Sequence, residues 1–310
     1  MLASMGIPFV LSAVFGVAAP RFARRLPPAV ATWLLSVGGL VSAAGCAVVL
    51  ALLGFTLIGQ SPLLAAQGHW SGGALRRADP IPVPVAFLAV VLLVALAVRF
   101  ALAAVRRLRA LREAYALAAA LPAAGGELAV IDDPGLQAYA VPGRPGRIVV
   151  STGLIRALDV DQRRAVLAHE RAHLTHGHHW HHSLGQLAAA ANPLLHRVRG
   201  AIALATERWA DEDAATTCRR DTVADALTRA ATAGTRMPTP VALLAVAATD
   251  VLGRVTALRA PAPRLTLWRV TTLVALVAAT AAAVLLAEHD TERLFELAQA
   301  AYRASRPQPE

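Results

Sequence analysis

The sequence predicts an α-helical membrane protein with four transmembrane helices and one α+β domain between the third and the fourth. Three observations predict this fold class. Hydrophobic residues make up 56% of the 310 residues, and the mean hydropathy is +0.52. Four apolar stretches approach or exceed the roughly 20 residues that a helix needs to cross a bilayer. Residues 106–268 have a mixed pattern and are long enough for one domain.

The four apolar stretches are nearly free of charged residues, and charged residues flank them. That pattern favours membrane-spanning helices over the alternative, which is a set of buried helices in a large soluble fold. No positively charged residue precedes the first stretch, so we do not interpret it as a cleaved signal peptide. The stretches cover residues 2–19, 30–58, 83–104 and 269–287.

The arginines predict the orientation of the chain in the membrane. The formal net charge is +10, and arginines cluster directly after the first and the third stretch. The positive-inside rule places such clusters in the cytoplasm. We therefore expect a multi-pass protein of the plasma (inner) membrane with an outside N-terminus, a cytoplasmic domain over residues 106–268 and a short outside tail over residues 288–310. Arg76 and Arg77 are exceptions to the positive-inside rule, because their loop is predicted to be outside.

The same clusters predict which partners the chain has. Because the arginines lie at membrane edges, we expect the lipid bilayer as their partner and no direct binding of nucleic acid. Cys46 falls in a predicted span and Cys218 in the predicted domain. We expect them not to pair, which agrees with a reducing cytoplasm.

The domain is predicted to combine a small sheet with several helices. "LAVI" and "RIVVS" are short β-branched runs between glycines and prolines, and "VPGRPG" has the composition of a turn. Asp159, followed three residues later by Gln162, is typical of a helix N-terminus with a capping box. The predicted helices are a basic continuation of the third span over 106–121, and segments 160–175, 200–230 and 241–258.

His169, Glu170 and His173 form an HExxH motif within the predicted helix 160–175. Residues four apart lie on one face of a helix, so both imidazoles can reach one zinc ion. Glu170 is offset around the helix, so its carboxylate can act as a base on water instead of binding the metal. The motif is short, and a charged helix face remains the alternative.

A second motif, "ERWAD", supplies a candidate third ligand. Glu207 would complete a His-His-Glu set that leaves a fourth position open, which is the catalytic zinc pattern. Asp211 is placed to accept a hydrogen bond from a ligand imidazole, and a surface carboxylate is the alternative. The histidines after the motif are interpreted as polar decoration or membrane-interface residues, and a second metal site is the alternative: His176, His178, His179, His181 and His182.

Together these motifs resemble the integral-membrane zinc metallopeptidases of the BlaR/MecR type. The resemblance rests on "VLAHERAHLTHGHH", on "ERWADEDAA" and on the order of three spans, domain and fourth span. It implies an α+β, minigluzincin-like domain in which a small sheet packs on the active-site helix. It implies one Zn²⁺ per chain, held by His169, His173 and Glu207, with Glu170 as general base. It also marks "DVLGRVTALRAP" as a family feature and implies a structural role for Arg254.

The resemblance implies a protein or peptide substrate, either a cytoplasmic BlaI/MecI-like transcriptional repressor of the winged-helix type or the protease itself. Sensor members carry a penicillin-binding domain after the fourth span, whereas residues 288–310 are too few for one. Direct β-lactam sensing by this chain is therefore not expected.

Three other functions are open. A quality-control or processing protease of the HtpX or CAAX type shares HExxH and a distal Glu, but it usually has further spans, and residues 187–205 are too interrupted by polar residues to span easily. A metal sensor or transporter would use the histidine-rich stretch, although the four spans contain no His, Asp or Glu. A degenerate protease that only signals is disfavoured because every motif residue is intact.

Overall fold

The computed structural model describes residues 2–121, 126–233 and 251–305, and four of its helices are long and apolar enough to cross a membrane. They lie where the sequence predicts spans. The third continues to Ala120, so the predicted basic continuation is confirmed, and the fourth continues past residue 287 to Ala304. The four are α1 (Leu2–Ala23), α2 (Pro28–Gly59), α5 (Val83–Ala120) and α12 (Leu267–Ala304).

The connection between α2 and α5 carries two short helices, α3 (Pro62–Gly68) and α4 (Gly72–Ala78). Leu75 of α4 packs against Leu294 and Ala298 in the extension of α12. The residues after 287 are therefore part of a helix that covers this end of the bundle.

Three strands form the sheet in the order β1-β3-β2, with β1 parallel and β2 antiparallel to β3. The two strands that the sequence predicts are confirmed, and β2 is an additional one. The predicted turn joins β2 to β3. One face of the sheet packs on the extension of α5, and the other packs on the helices that follow β3. The strands are β1 (Leu128–Ile131), β2 (Ala138–Val141) and β3 (Arg147–Ser151).

The helix with the HExxH motif, α7 (Val160–Thr175), follows the short α6 (Thr152–Ala157) and has the predicted bounds. Its capping box is confirmed. The Asp159 carboxylate accepts from the amide of Gln162 at 2.8 Å, and the Gln162 side chain accepts from the amide of Asp159. Gly177 has a φ of +60° and turns the chain into α8 (His178–Ala191), since glycine adopts left-handed backbone without steric cost.

The prediction of one long helix over 200–230 is wrong. The segment forms α9 (His196–Thr217) and α10 (Arg220–Ala233), with Cys218 extended between them. The side chain of Thr217 donates to the carbonyl oxygen of Ala214, a local bond that competes with continuation of the helix. The predicted helix 241–258 lies partly outside the described residues, and its end belongs to α11 (Val251–Arg259).

Helices α8 and α9 form a hairpin that packs among the membrane-type helices. Ala188, Val198 and Ile202 of the hairpin share one apolar cluster with residues of α1, α2 and α12. At the hairpin tip, the Asn192 amide donates to the hydroxyl of Ser12 in the middle of α1 at 2.8 Å. Ser12 precedes Arg21 by nine residues, a helical rise of about 13 Å. The hairpin therefore reaches well into the depth of the apolar bundle without spanning it.

Candidate metal centre

Helices α7 and α9 bring the three predicted metal ligands to one point. The histidines lie four residues apart on the face of α7 that packs on α9, and Glu207 extends from α9. Their ligand atoms all lie within 4.8 Å of one another. The Nε2 atoms of His169 and His173 are 3.1 Å apart, and Glu207 oxygens lie 3.6 Å and 3.5 Å from them.

These separations fit a tetrahedral metal ion. Zinc ligands at about 2.0–2.1 Å in tetrahedral geometry lie roughly 3.3 Å from one another. The observed separations of 3.1 to 3.6 Å are close to that value. Two imidazole nitrogens and a carboxylate therefore meet at a point that suits a cation of this size.

Asp211 sets the orientation of the first histidine. Its Oδ1 lies 3.0 Å from Nδ1 of His169, and a carboxylate only accepts hydrogen bonds. The Nδ1 of His169 must therefore carry a proton, which leaves Nε2 to face either a metal ion or a second proton. Burial opposes that second proton, but the hydrogen bonds with Asp211 and Glu207 outweigh burial and raise the pKa of His169 to about 10.

The second histidine behaves in the opposite way. Burial lowers the pKa of His173 to about 4, although the charge of Glu207 works against this. At neutral pH the site therefore favours one positive charge between two imidazoles and a carboxylate. A bound metal ion would supply positive charge at the same place.

Arg254 of α11 clamps both carboxylates of α9. Its Nε and Nη2 donate to the two oxygens of Asp211 at 2.8 Å and 2.7 Å, and its Nη1 lies 2.9 Å from Glu207. The guanidinium is 5% exposed, so water screens these ion pairs little. A third helix thus fixes the two acidic residues. The Asp211 Oδ1 and the Glu207 Oε2 contact both Arg254 and His169, whereas the Glu207 Oε1 faces His173.

Glu170 lies beside the three ligands and not among them. Burial raises the pKa of its carboxyl group, and Glu207 adds to this, whereas a hydrogen bond from the backbone amide of Ala140 lowers it. Ala140 belongs to β2, one of the two edge strands of the sheet. The strand that the sequence did not predict therefore contacts the proposed general base.

The later histidines were interpreted as polar decoration or membrane-interface residues, and polar decoration is wrong for His178 and His181, which are 1% and 4% exposed. The Nδ1 of His178 lies 2.9 Å from Nδ1 of His173, and His181 lies 3.0 Å from the hydroxyl of Ser36 in α2. Both belong to α8, because the chain re-enters a helix directly after Gly177.

The remaining histidines of the stretch have separate partners. His182 lies 2.9 Å from the hydroxyl of Thr206, and His176 lies 3.3 Å from a carboxylate oxygen of Asp213 and stacks on Trp209. The backbone carbonyl of His179 accepts from Arg107 of α5. Within the described residues, the His169, His173 and Glu207 group is the one set whose ligand atoms converge as a metal site requires.

Sequence reasoning did not assign His178 or Ala140 to the site. The sequence feature that could have indicated the position of His178 is Gly177, which directly precedes it. A left-handed glycine reverses the chain, so the next helix begins beside the end of α7. Ala140 had no comparable signal, because "AYAV" contains a single β-branched residue.

Comparison with protein families adds an independent finding. Residues 102–242 match the model of Peptidase family M48. The matched range contains the sheet, both ligand helices and α8 between them. No curated protein and no solved structure matches the chain. The family match indicates a metallopeptidase hydrolase, and the four membrane-type helices indicate that it is a membrane protein.

Proposed function

We propose that this chain is a zinc-dependent endopeptidase embedded in the inner membrane, with His169, His173 and Glu207 as the zinc ligands and Glu170 as the general base. One observation carries the proposal. Two imidazoles and a carboxylate from two helices converge at tetrahedral spacing, and a second carboxylate, that of Glu170, lies beside them. Three protein ligands leave one position for chemistry, which is typical of catalytic zinc sites.

When bound, zinc would supply Lewis acidity that activates water and polarises a substrate carbonyl. The Glu170 carboxylate would take the proton from the attacking water and pass it to the leaving amine. Its raised pKa suits this role, because proton transfer is most efficient when the pKa of the base approaches the working pH. Asp211 would hold the His169 ring, and Arg254 would hold Asp211 and Glu207 in place.

A substrate can be positioned by the sheet. β2 is an edge strand, and its Ala140 amide lies against Glu170. An extended peptide that pairs with this edge would bring a peptide bond alongside the base, as in other cases where a bound peptide adds a strand to a sheet.

One contact supports a site near one surface of the membrane. The Nη1 of Arg208, which directly follows the ligand Glu207, donates to the carbonyl oxygen of Arg24 at the end of α1. The apolar stretch of α1 ends shortly before, and the positive-inside rule favours a cytoplasmic position for this end. We therefore propose that the site acts on peptides at the cytoplasmic surface of the bilayer.

Two substrate classes fit this placement. The sequence resemblance favours a signalling protease that cleaves a winged-helix repressor or itself. The burial of the α8–α9 hairpin among the membrane-type helices favours a quality-control or processing protease, because a site beside these helices would be accessible to segments of other membrane proteins.

The test compares protein N-termini across the proteome in cells that carry the wild type or Glu170→Gln. New N-termini that depend on Glu170 would support the peptidase and identify the substrate class, as a soluble repressor or as membrane proteins. A metal sensor or transporter would instead depend on the histidines and not on Glu170. If the purified wild type binds zinc but neither cells nor model peptides show Glu170-dependent cleavage, the proposed function is wrong.

A further inference from the structure

A groove of about 530 Å³ lies between the end of α1 and α9. Four of the side chains that line it are arginines, and the described residues of its lining include no acidic side chain. Small and apolar residues, among them Val17 and Leu204, form the rest. The arginines are Arg21 of α1, Arg24 directly after it, and Arg197 and Arg208 of α9.

The four guanidinium groups keep most of their hydrogen-bonding capacity. Arg21 donates to the carbonyl oxygen of Val17, and Arg208 donates to that of Arg24. No carboxylate in the described parts of the chain forms an ion pair with any of the four. Because each guanidinium has five N–H donors, the groove offers many donors to an anion and has no carboxylate of its own to satisfy them.

The groove runs along α9 from the end of α1 toward the hairpin tip. Arg197 and Arg208 are eleven residues apart on α9, a rise of about 16 Å. Arg208 contacts the end of α1, whereas Arg197 lies near the hairpin tip, which reaches Ser12. An arginine at that depth is costly without an anionic partner, and it can extend its side chain toward the headgroups.

We propose that this groove binds an anionic phospholipid, with its phosphate among the arginines and an acyl chain along the apolar wall. Bidentate hydrogen bonding makes guanidinium well suited to phosphate oxygens. The wall of Val17 and Leu204 and the depth of the groove favour a lipid over a free anion or an acidic peptide. The bound lipid would contact both α1 and α9, the helix that carries Glu207, and Arg208 would be one of its contacts on α9.

The test is native mass spectrometry of the full-length protein in detergent with added phosphatidylglycerol or phosphatidylcholine. We expect the wild type to retain phosphatidylglycerol in clear preference. Arg21→Gln combined with Arg197→Gln should weaken that binding by about 10- to 30-fold, from roughly 1 kcal/mol per arginine. The matched control is Arg76→Gln with Arg77→Gln, which removes the same charge from exposed residues of α4. Millimolar inorganic phosphate should not displace the lipid.

Three results would overturn the proposal. The wild type could retain both lipids equally, the control could lose as much binding as the groove variant, or inorganic phosphate could compete fully and indicate a simple anion site. If the glutamine variant melts at a much lower temperature, Arg21→Lys with Arg197→Lys replaces it. That variant keeps the charge and should retain part of the preference, and a complete loss in a folded protein would contradict the lipid site.

Discussion

The Nδ1 atoms of His173 and His178 lie 2.9 Å apart, and the two rings meet edge to face. Only one of the two nitrogens can carry the shared proton. If Nε2 of His173 binds a metal, its Nδ1 carries the proton and donates to His178. Burial lowers the pKa of His178, so that ring is neutral and can accept. His178 is thus placed to fix the orientation of His173 as Asp211 fixes that of His169.

We expect His178→Leu to lower zinc affinity by about 10- to 100-fold, the usual effect of removing a partner that orients a metal-bound histidine. Competitive titration with a chelator measures this. His178→Asn places an acceptor oxygen close to the position of Nδ1 and should restore much of the affinity. His196→Leu is the matched control, because His196 is exposed. Equal affinity in all variants would show that His178 does not orient the ligand.

Substitution of Glu207 and substitution of Glu170 should have different effects on zinc content and peptidase activity. Glu207→Gln should lose most of the bound zinc, because it removes a charged ligand. Glu170→Gln should keep the zinc and lose peptidase activity by about 10²- to 10⁴-fold, the usual contribution of a general base. Metal content by plasma mass spectrometry and cleavage of a model peptide, both on detergent-purified protein, separate the two. Loss of zinc in Glu170→Gln would show that this residue is a ligand.

Arg254→Leu should destabilise the fold by about 3–5 kcal/mol, because it leaves the carboxylates of Asp211 and Glu207 buried without their partner. Added zinc should recover part of this, since the ion compensates the charge of Glu207. Arg259→Leu is the control, as its ion pair with Asp225 is 3.7 Å long and exposed, and it should change stability by at most about 1 kcal/mol. Thermal unfolding measures both. If Arg254→Leu and Arg259→Leu lower the stability equally, the contacts of Arg254 with Asp211 and Glu207 do not contribute more than an exposed ion pair.

Gly16 permits the close approach of the hairpin to α1. A Cβ at this position would collide with the carbonyl oxygen of Leu194, which is backbone and cannot rotate away. Gly16→Ala should therefore displace the hairpin tip and lower the melting temperature. Gly6→Ala lies on the same helix with nothing near its Cβ and should have little effect. If the two variants melt alike, the tip does not pack on α1 as described.

The sequence predicts those residues of the candidate metal centre that belong to a short pattern within one helix. The HExxH spacing and the capping box at Asp159 each depend on residues within one helix turn or two, so the sequence alone predicts α7 and its histidine face. Glu207 was predictable because its own motif places it on a helix.

The supporting contacts were not predictable, because they join distant parts of the chain. The burial of His178 and His181 depends on α8 packing between α2 and α9. The sequence did not predict that the hairpin reaches into the bundle, because His196, Arg197 and Arg199 are exposed polar residues that interrupt its apolar pattern. β2 was missed because its alanine-rich run lacks strand character, and the break at Cys218 depends on threonine hydroxyls that cap the preceding turn.

The hairpin and the membrane-type helices share one core, so the assembly of the candidate metal centre depends on the packing of those helices. The helix that carries Glu207 has its first half packed on α1 and α2, and Leu273 of α12, which is synthesised later, completes that cluster. Without these neighbours, a nascent chain that has not been inserted would not hold its third ligand in register with the two histidines. The protease would therefore mature only in the bilayer, and chains that miss their target membrane would remain without an assembled centre.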